Sequence, residues 1–204
     1  MLDSPFLQGE SMGQRIIYLV RHGHAAYADT EPKDRHGYLT EIGQQQAHLT
    51  AQRLAKLPIA AIHHSDLGRS LETARILAAP FPDLTPQPTP LLRECVPCLP
   101  TRGWFREISP ERLQESKIQA DQALTQFFRA TETEADEQHD VLICHGNIIR
   151  YLVCCVLQVS PEAWDNTTMY NCGISEVLIK QTGEMRLISH NDTGHLPHAM
   201  RTFL

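Results

Sequence analysis

Two apolar runs in this chain end in the same kind of chemistry. Ile16-Ile17-Tyr18-Leu19-Val20 stops at Arg21-His22-Gly23-His24, and Val141-Leu142-Ile143-Cys144 stops at His145-Gly146. A neutral imidazole nitrogen can attack phosphorus, and a guanidinium presents a planar fork that matches phosphate oxygens. Arg21 and His22 therefore set an anion anchor beside a candidate nucleophile, and His145 adds a second imidazole. Gly23 has no side chain, so the backbone there can turn sharply and approach a bound group. Alone, Arg-His-Gly also describes a strand end with a surface Arg-His pair. The second run ending in histidine is what gives the first its weight.

Arg69 and Glu94 could complete such a site. Ser65-Asp66-Leu67-Gly68-Arg69 reads as a helix start capped by Ser65, with Arg69 in the first turn, where free N–H groups and a guanidinium both favour an anion. The competing reading is a solvated arginine paired with Glu72, worth about 0.3 kcal/mol. Glu94 follows Leu91-Leu92-Arg93 and is a carboxylate able to move a proton, or a loop carboxylate paired with Arg93. His24 falls equally at a pocket rim or in solvent. His63-His64 reads as a strand end, because no third ligand with suitable spacing accompanies it. Cys95-x-x-Cys98, with Pro97 and Pro100, lacks a second pair and reads as loop. Several of the six cysteines lie in apolar segments, as small hydrophobes in a reducing compartment would.

Positioning these groups requires strands that end where the chemistry begins. Ligands of open α/β sheets bind at the carboxyl ends of the strands. Both histidine runs are the right length for buried strands, and Ile59–His63 for another. Thr40 is a fitting N-cap for a helix with an apolar stripe at Ile42, Ala47, Leu49, Leu54 and Leu57, stopped by Pro58. A second helix follows Ser65, with Leu67, Leu71, Ala74, Ile76 and Leu77 on its apolar face. The five prolines between 80 and 90 make a connector with at most one short edge strand. A third helix spans Pro110 to Ala130, and a buried helix follows His145. Ile174–Lys180 and Met185–Ser189 form a closing hairpin. The expected fold class is α/β: a three-layer sandwich, a mainly parallel sheet with helices on both faces and an antiparallel edge strand. Residues 1–14 are expected as a disordered extension and 15–204 as one domain.

The chain has 204 residues and a net charge of −6, so nothing global points to nucleic acid. No apolar run approaches the roughly 20 residues of a membrane span, and the first residues lack the pattern of a secretory signal. The expectation is a cytoplasmic protein with no membrane partner.

Taken together, Arg21-His22-Gly23, Arg69 within Ser-x-x-x-Arg-x-x-Glu-Thr, Glu94 after Leu-Leu-Arg, and His145-Gly146 resemble the histidine phosphatase superfamily, the phosphoglycerate mutase-like clan. Within it, Ile143–Cys154, Leu91–Glu94, Pro161-Glu162-Ala163-Trp164 and Asn191-Asp192-Thr193-Gly194 are similar to a mitochondrial serine/threonine-protein phosphatase branch with an N-terminal membrane anchor. That location is not carried over, for want of such an anchor here. The resemblance implies a phosphohistidine at His22, with Arg21, Arg69, His145 and Gly146 holding phosphate oxygens. It implies Glu94 as proton donor and then acceptor, and Gly23, His24 and Asn147 at the pocket rim. Guanidinium and imidazolium groups would supply the positive charge, so no metal or other cofactor is expected. Two departures favour phosphatase over mutase. His24-Ala25-Ala26-Tyr27-Ala28 replaces the Glu-Ser or Glu-Thr and Trp-Asn run of mutases, and the stretch from Glu94 to His145 is short. The expected partner is a phosphorylated protein, with small metabolite esters as runner-up substrates. A phosphate-binding adaptor is a further alternative, and a homodimer a candidate assembly.

Overall fold

A computed structural model describes residues 13–26, 37–100, 108–131 and 137–203. Most of the expected N-terminal extension and most of the polar loop after His24 lie outside the described residues. Gly13 and Gln14, grouped above with the extension, pair with the body of the protein. The Gly13 carbonyl accepts from Thr131 Oγ1, and the Gln14 carbonyl accepts from Gln138 N.

The chain runs β1 (Arg15–Arg21), β2 (Ala25–Ala26), β3 (Tyr38–Leu39), α1 (Glu41–Leu54), β4 (Ile59–Ser65), α2 (Gly68–Ala78), β5 (Gln87–Thr89), α3 (Pro110–Phe127), β6 (Gln138–Cys144), α4 (Gly146–Leu157), β7 (Ile174–Ile179) and β8 (Met185–Asp192). Six strands form the main sheet in the order β5-β4-β6-β1-β7-β8, and β2 pairs with β3 beside it. From β5 to β1 neighbours are parallel, whereas β7 opposes both β1 and β8. The sheet is thus mainly parallel, and its edge strand β8 is antiparallel to its neighbour. Proline-bearing β5 lies at the other edge, where a missing N–H leaves fewer ladder bonds unmade.

The two-residue period of the central strands divides the interior into two cores. Ile17, Leu19 and Leu142 face one core, with Ala120, Ala123 and Phe127 of α3 and Ile148, Ile149, Leu152 and Val156 of α4. Tyr18, Val20, Val141 and Ile143 face the other, with Ala47 and Leu54 of α1 and Ala74 and Leu77 of α2. Burial on both faces is why β1 and β6 read as almost unbroken apolar runs. Removing one such side chain, as in Leu19→Ala, costs about 2–5 kcal/mol.

The helices differ from expectation where their faces are polar. Thr40 caps α1 as expected, its Oγ1 accepting from Gly43 N at 3.2 Å. The buried face of α1, however, is Gly43, Gln46, Ala47, Thr50, Ala51 and Leu54. Ala47 and Leu54 enter the apolar core, whereas Gly43 and Gln46 meet the backbone of His24 and Met200, so small and hydrogen-bonding residues occupy positions the apolar stripe would miss. β4 continues to Ser65, two residues past the expected end, and α2 begins at Gly68. Ser65 Oγ still accepts from Leu67 N at 3.3 Å, but the residue at the cap position is Leu67. On α2 the fully buried residues include Arg69, Ser70 and Thr73, so the helix turns a polar face inward.

Candidate active site

The site forms where β1 and β6 end together. Their parallel register pairs Arg21 with Cys144, which brings the next residues, His22 and His145, side by side. The two rings stand 5.0 Å apart, edge to face. The backbone continues the pairing, with His22 N donating to Cys144 O at 3.0 Å.

His22 is 3% exposed, and its Nδ1 lies 2.8 Å from the carbonyl of Gly23. A carbonyl only accepts, so Nδ1 carries the hydrogen and Nε2 keeps its lone pair. Arg69 Nε donates to that Nε2 at 3.1 Å. Burial first, then the Arg21 and Arg69 charges, push the pKa of His22 well below 6.5. At neutral pH the ring is an uncharged nucleophile with a defined attacking atom.

Arg69 sits in the first turn of α2, 5% exposed, and also meets His145 Nδ1 through Nη2 at 3.0 Å. A guanidinium cannot accept, so Nδ1 of His145 is the bare nitrogen and Nε2 bears the hydrogen. That Nε2 lies 2.8 Å from Ser65 Oγ. Burial, with His22, Arg69 and Arg21 beside it, also pushes the His145 pKa well below 6.5. His145 is therefore neutral rather than the imidazolium expected there.

Both competing pairings are replaced by others. Glu72 Oε2 accepts from Leu39 N at 2.7 Å and ties α2 to β3. Arg93 grips Asp66 with two bonds of 2.6 and 2.5 Å. Glu94 turns the other way, onto the first turn of α4. It accepts from Asn147 N at 3.2 Å and Ile148 N at 3.4 Å. It stands exposed at the mouth of a cleft, yet protein crowds it closely enough to raise its pKa. Arg21 and the Asn147 amide pull the other way.

The cleft holds roughly 450 Å3 and is lined near the site by Arg21, Glu94, Gly146 and Asn147. Arg21 Nη1 donates to Met169 O at 2.6 Å, and its guanidinium lies across Gly146, whose missing Cβ would stand 3.6 Å from Nε. The cleft extends past Arg150, whose guanidinium stacks 4.4 Å over Trp164 and donates to Gly146 O and Thr167 O.

Some predicted residues lie elsewhere. His24 is held at the start of α1; its Nδ1 meets Thr40 Oγ1 at 2.9 Å and its N–H donates to Gln46 Oε1 at 2.8 Å. Gly23 also faces α1. A Cβ on it would come 2.5 Å from Gly43 O, so glycine is needed for helix contact and not for approach to a ligand. His64 binds the Ser65 carbonyl, while His63 packs its ring against Phe127. Cys95 and Cys98 are free thiols, Cys95 buried and Cys98 half-buried. Sequence reasoning missed three supports. Ser65 holds His145, Thr73 accepts from Gly23 N at 3.1 Å, and Asn171 Nδ2 donates to His22 O at 3.0 Å. Thr73 was legible in principle, as a polar residue one turn after Arg69 on an inward face. Asn171 carries no local signal.

Residues 17–96 and 99–193 match the family model described as Histidine phosphatase superfamily (branch 1). The chain belongs to that superfamily. It is 34% identical over 191 residues to serine/threonine-protein phosphatase PGAM5, mitochondrial, of Mus musculus, covering 90% of this chain and 64% of the relative. The Caenorhabditis elegans protein of that name is 33% identical over 188 residues, with the same coverage of each. The chain thus spans less than two thirds of these relatives' length. Among solved structures, phosphoglycerate mutase from Plasmodium falciparum superposes with a TM-score of 0.64 at 27% identity, covering 91% of this chain and 96% of that one. A mycobacterial glucosyl-3-phosphoglycerate phosphatase has a TM-score of 0.66 at 20% identity, covering 88% and 100%, and shares the fold. The cytoplasmic expectation does not stand, because these relatives are mitochondrial by name. It rested on the lack of a spanning run and on reduced cysteines, and neither feature separates one reducing compartment from another.

Proposed function

We propose that this histidine phosphatase is a phosphomonoesterase acting on serine/threonine phosphoproteins through a phosphohistidine on His22 Nε2. The observation that carries this reading is the state of His22: neutral, with Nδ1 tied to Gly23 O, the Nε2 lone pair accepting from Arg69 Nε, and the Arg21 charge nearby. The Nε2 pair forms the N–P bond as the P–O ester bond breaks. Glu94 gives the departing oxygen its proton. For the attack the Nε2 lone pair must first be freed. As the phosphoryl group enters, Arg69 Nε leaves Nε2 for a phosphoryl oxygen, a more highly charged acceptor, and Arg21 and Arg69 hold the transferring charge. In the second half, Glu94 takes a proton from water, the water oxygen bonds to phosphorus, and the N–P bond breaks to restore neutral His22. An adaptor would need the cradle but no proton donor, and Glu94 stands beside Arg21 in the same cleft.

The relatives' name supports a phosphoprotein substrate. A parallel rate comparison on phosphoserine and phosphothreonine peptides and a panel of small phosphate esters tests it, with peptides expected to turn over at the higher kcat/KM. Acid quench with labelled substrate should trap an acid-labile, alkali-stable phosphoenzyme. Label on any residue but His22, or an undiminished rate in His22→Ala, would overturn the mechanism.

A further inference from the structure

We propose that Ser65 is a positioning residue that fixes the tautomer of His145 and, through it, the seat of Arg69. This rests on the proposed phosphatase reading for its consequence in rate, though not for its structural content. The hydrogen-bond chain runs Ser65 Oγ, His145 Nε2, His145 Nδ1, Arg69 Nη2, Arg69 Nε and His22 Nε2, with contacts of 2.8, 3.0 and 3.1 Å. Its polarity is set from one end. Arg69 only donates, so His145 Nδ1 must accept, so His145 Nε2 must donate, and Ser65 Oγ must receive that hydrogen. Ser65 and His145 are both 0% exposed, so water offers no replacement acceptor.

Without the hydroxyl, an Nε2–H would be buried and unsatisfied, which disfavours that tautomer. The ring can relieve this by moving its hydrogen to Nδ1. It would then oppose a hydrogen to the hydrogens of Arg69. Arg69 would be displaced from the position in which its Nε also meets His22 Nε2. Ser65 thus acts on the nucleophile through three successive hydrogen bonds without touching substrate. Ser65 is the last residue of β4, on the strand side of the β4–α2 turn.

The test is nitrogen NMR on the 15N-histidine-labelled protein without ligand, paired with kinetics. Wild-type protein should show His145 neutral and protonated on Nε2. Ser65→Ala should shift the population towards Nδ1–H and lower kcat/KM by ~10–100-fold, the range for removing a partner that orients a ligating imidazole. The same substitution placed on His145→Gln should cost little more, because the hydroxyl acts through the ring that is already gone. An Nδ1–H or doubly protonated His145 in the wild type overturns the proposal, whatever Ser65→Ala does. So does an unchanged tautomer in Ser65→Ala, or a loss equal in both backgrounds, which would mark a purely structural role. Because the tautomer is read on the unliganded protein, failure here is separate from failure of the wild type to hydrolyse any phosphate ester.

Discussion

At the level of single residues, the protonation states make the sharpest demands. His22 must be uncharged to attack, and its pKa is lowered well below 6.5. The acid limb of kcat/KM should therefore lie clearly below pH 6.5; a limb at 6.5 or above would show that His22 is not held neutral in this way. Arg69→Ala should lose roughly two or more orders of magnitude in kcat/KM, as when one donor to transition-state charge is removed, and should weaken inhibition by vanadate. A near-normal rate would reduce Arg69 to a helix residue. Glu94→Gln should slow phosphorylation by alkyl phosphates far more than by p-nitrophenyl phosphate, whose leaving group needs little protonation. Equal falls in the burst rates would pass the acid's role to another group. His22, Arg21, Arg69 and His145 could be singled out because their types adjoin strand ends or a helix start, and Glu94 only through its place after Leu91-Leu92-Arg93 in the family resemblance. Ser65, Thr73 and Asn171 matter through partners up to 149 residues away, and no local pattern encodes such a pairing.

At the level of elements, the contact between α1 and the turn after β1 decides whether the site keeps its shape. A Cβ on Gly43 would lie 2.0 Å from His24 O, and one on Gly23 would lie 2.5 Å from Gly43 O. Both obstacles are backbone, so neither can rotate away. Gly43→Ala should cost about 1–3 kcal/mol, as overpacking does, and depress activity together with stability. Denaturant melts alongside kcat/KM would check this, and an active, fully stable variant would show that α1 can withdraw freely. Here the sequence was only half informative. The Thr40 cap was visible, whereas the helix ends at Leu54, short of the stop expected at Pro58, and its inward face was not visible, because Gly43, Gln46 and Thr50 meet polar groups rather than an apolar core. The α/β alternation itself was plain, since strands buried on both faces leave long apolar runs that no surface element shares.

For the molecule as a whole, several histidines tie stability to pH in one direction. His22, His63, His145, His190 and His195 all have lowered pKa values, chiefly through burial, His195 to about 4. The unfolded chain binds protons at these rings from about pH 6.5 downward and the folded chain does not, so stability is full above about 6.5 and declines below it. Glu94, raised in the fold, opposes this with one carboxyl. The denaturation midpoint should be lower at pH 5 than at pH 7.5, with net proton uptake on unfolding; a flat profile would mean these rings titrate normally. The placement of β1 has a different consequence, in the order of synthesis. β1 lies between β6 and β7, whose residues begin much later in the chain, at 138 and 174. As the chain leaves the ribosome, β1 stays without either neighbour until more than a hundred further residues have emerged. Asn171, which holds the His22 carbonyl, is itself fastened by its N–H to the carbonyl of Thr202. A nascent chain halted before β6 would therefore carry an unpaired apolar strand, open to aggregation, and no assembled site. The strand that presents His22 is thus completed only after the strands that follow it by more than a hundred residues.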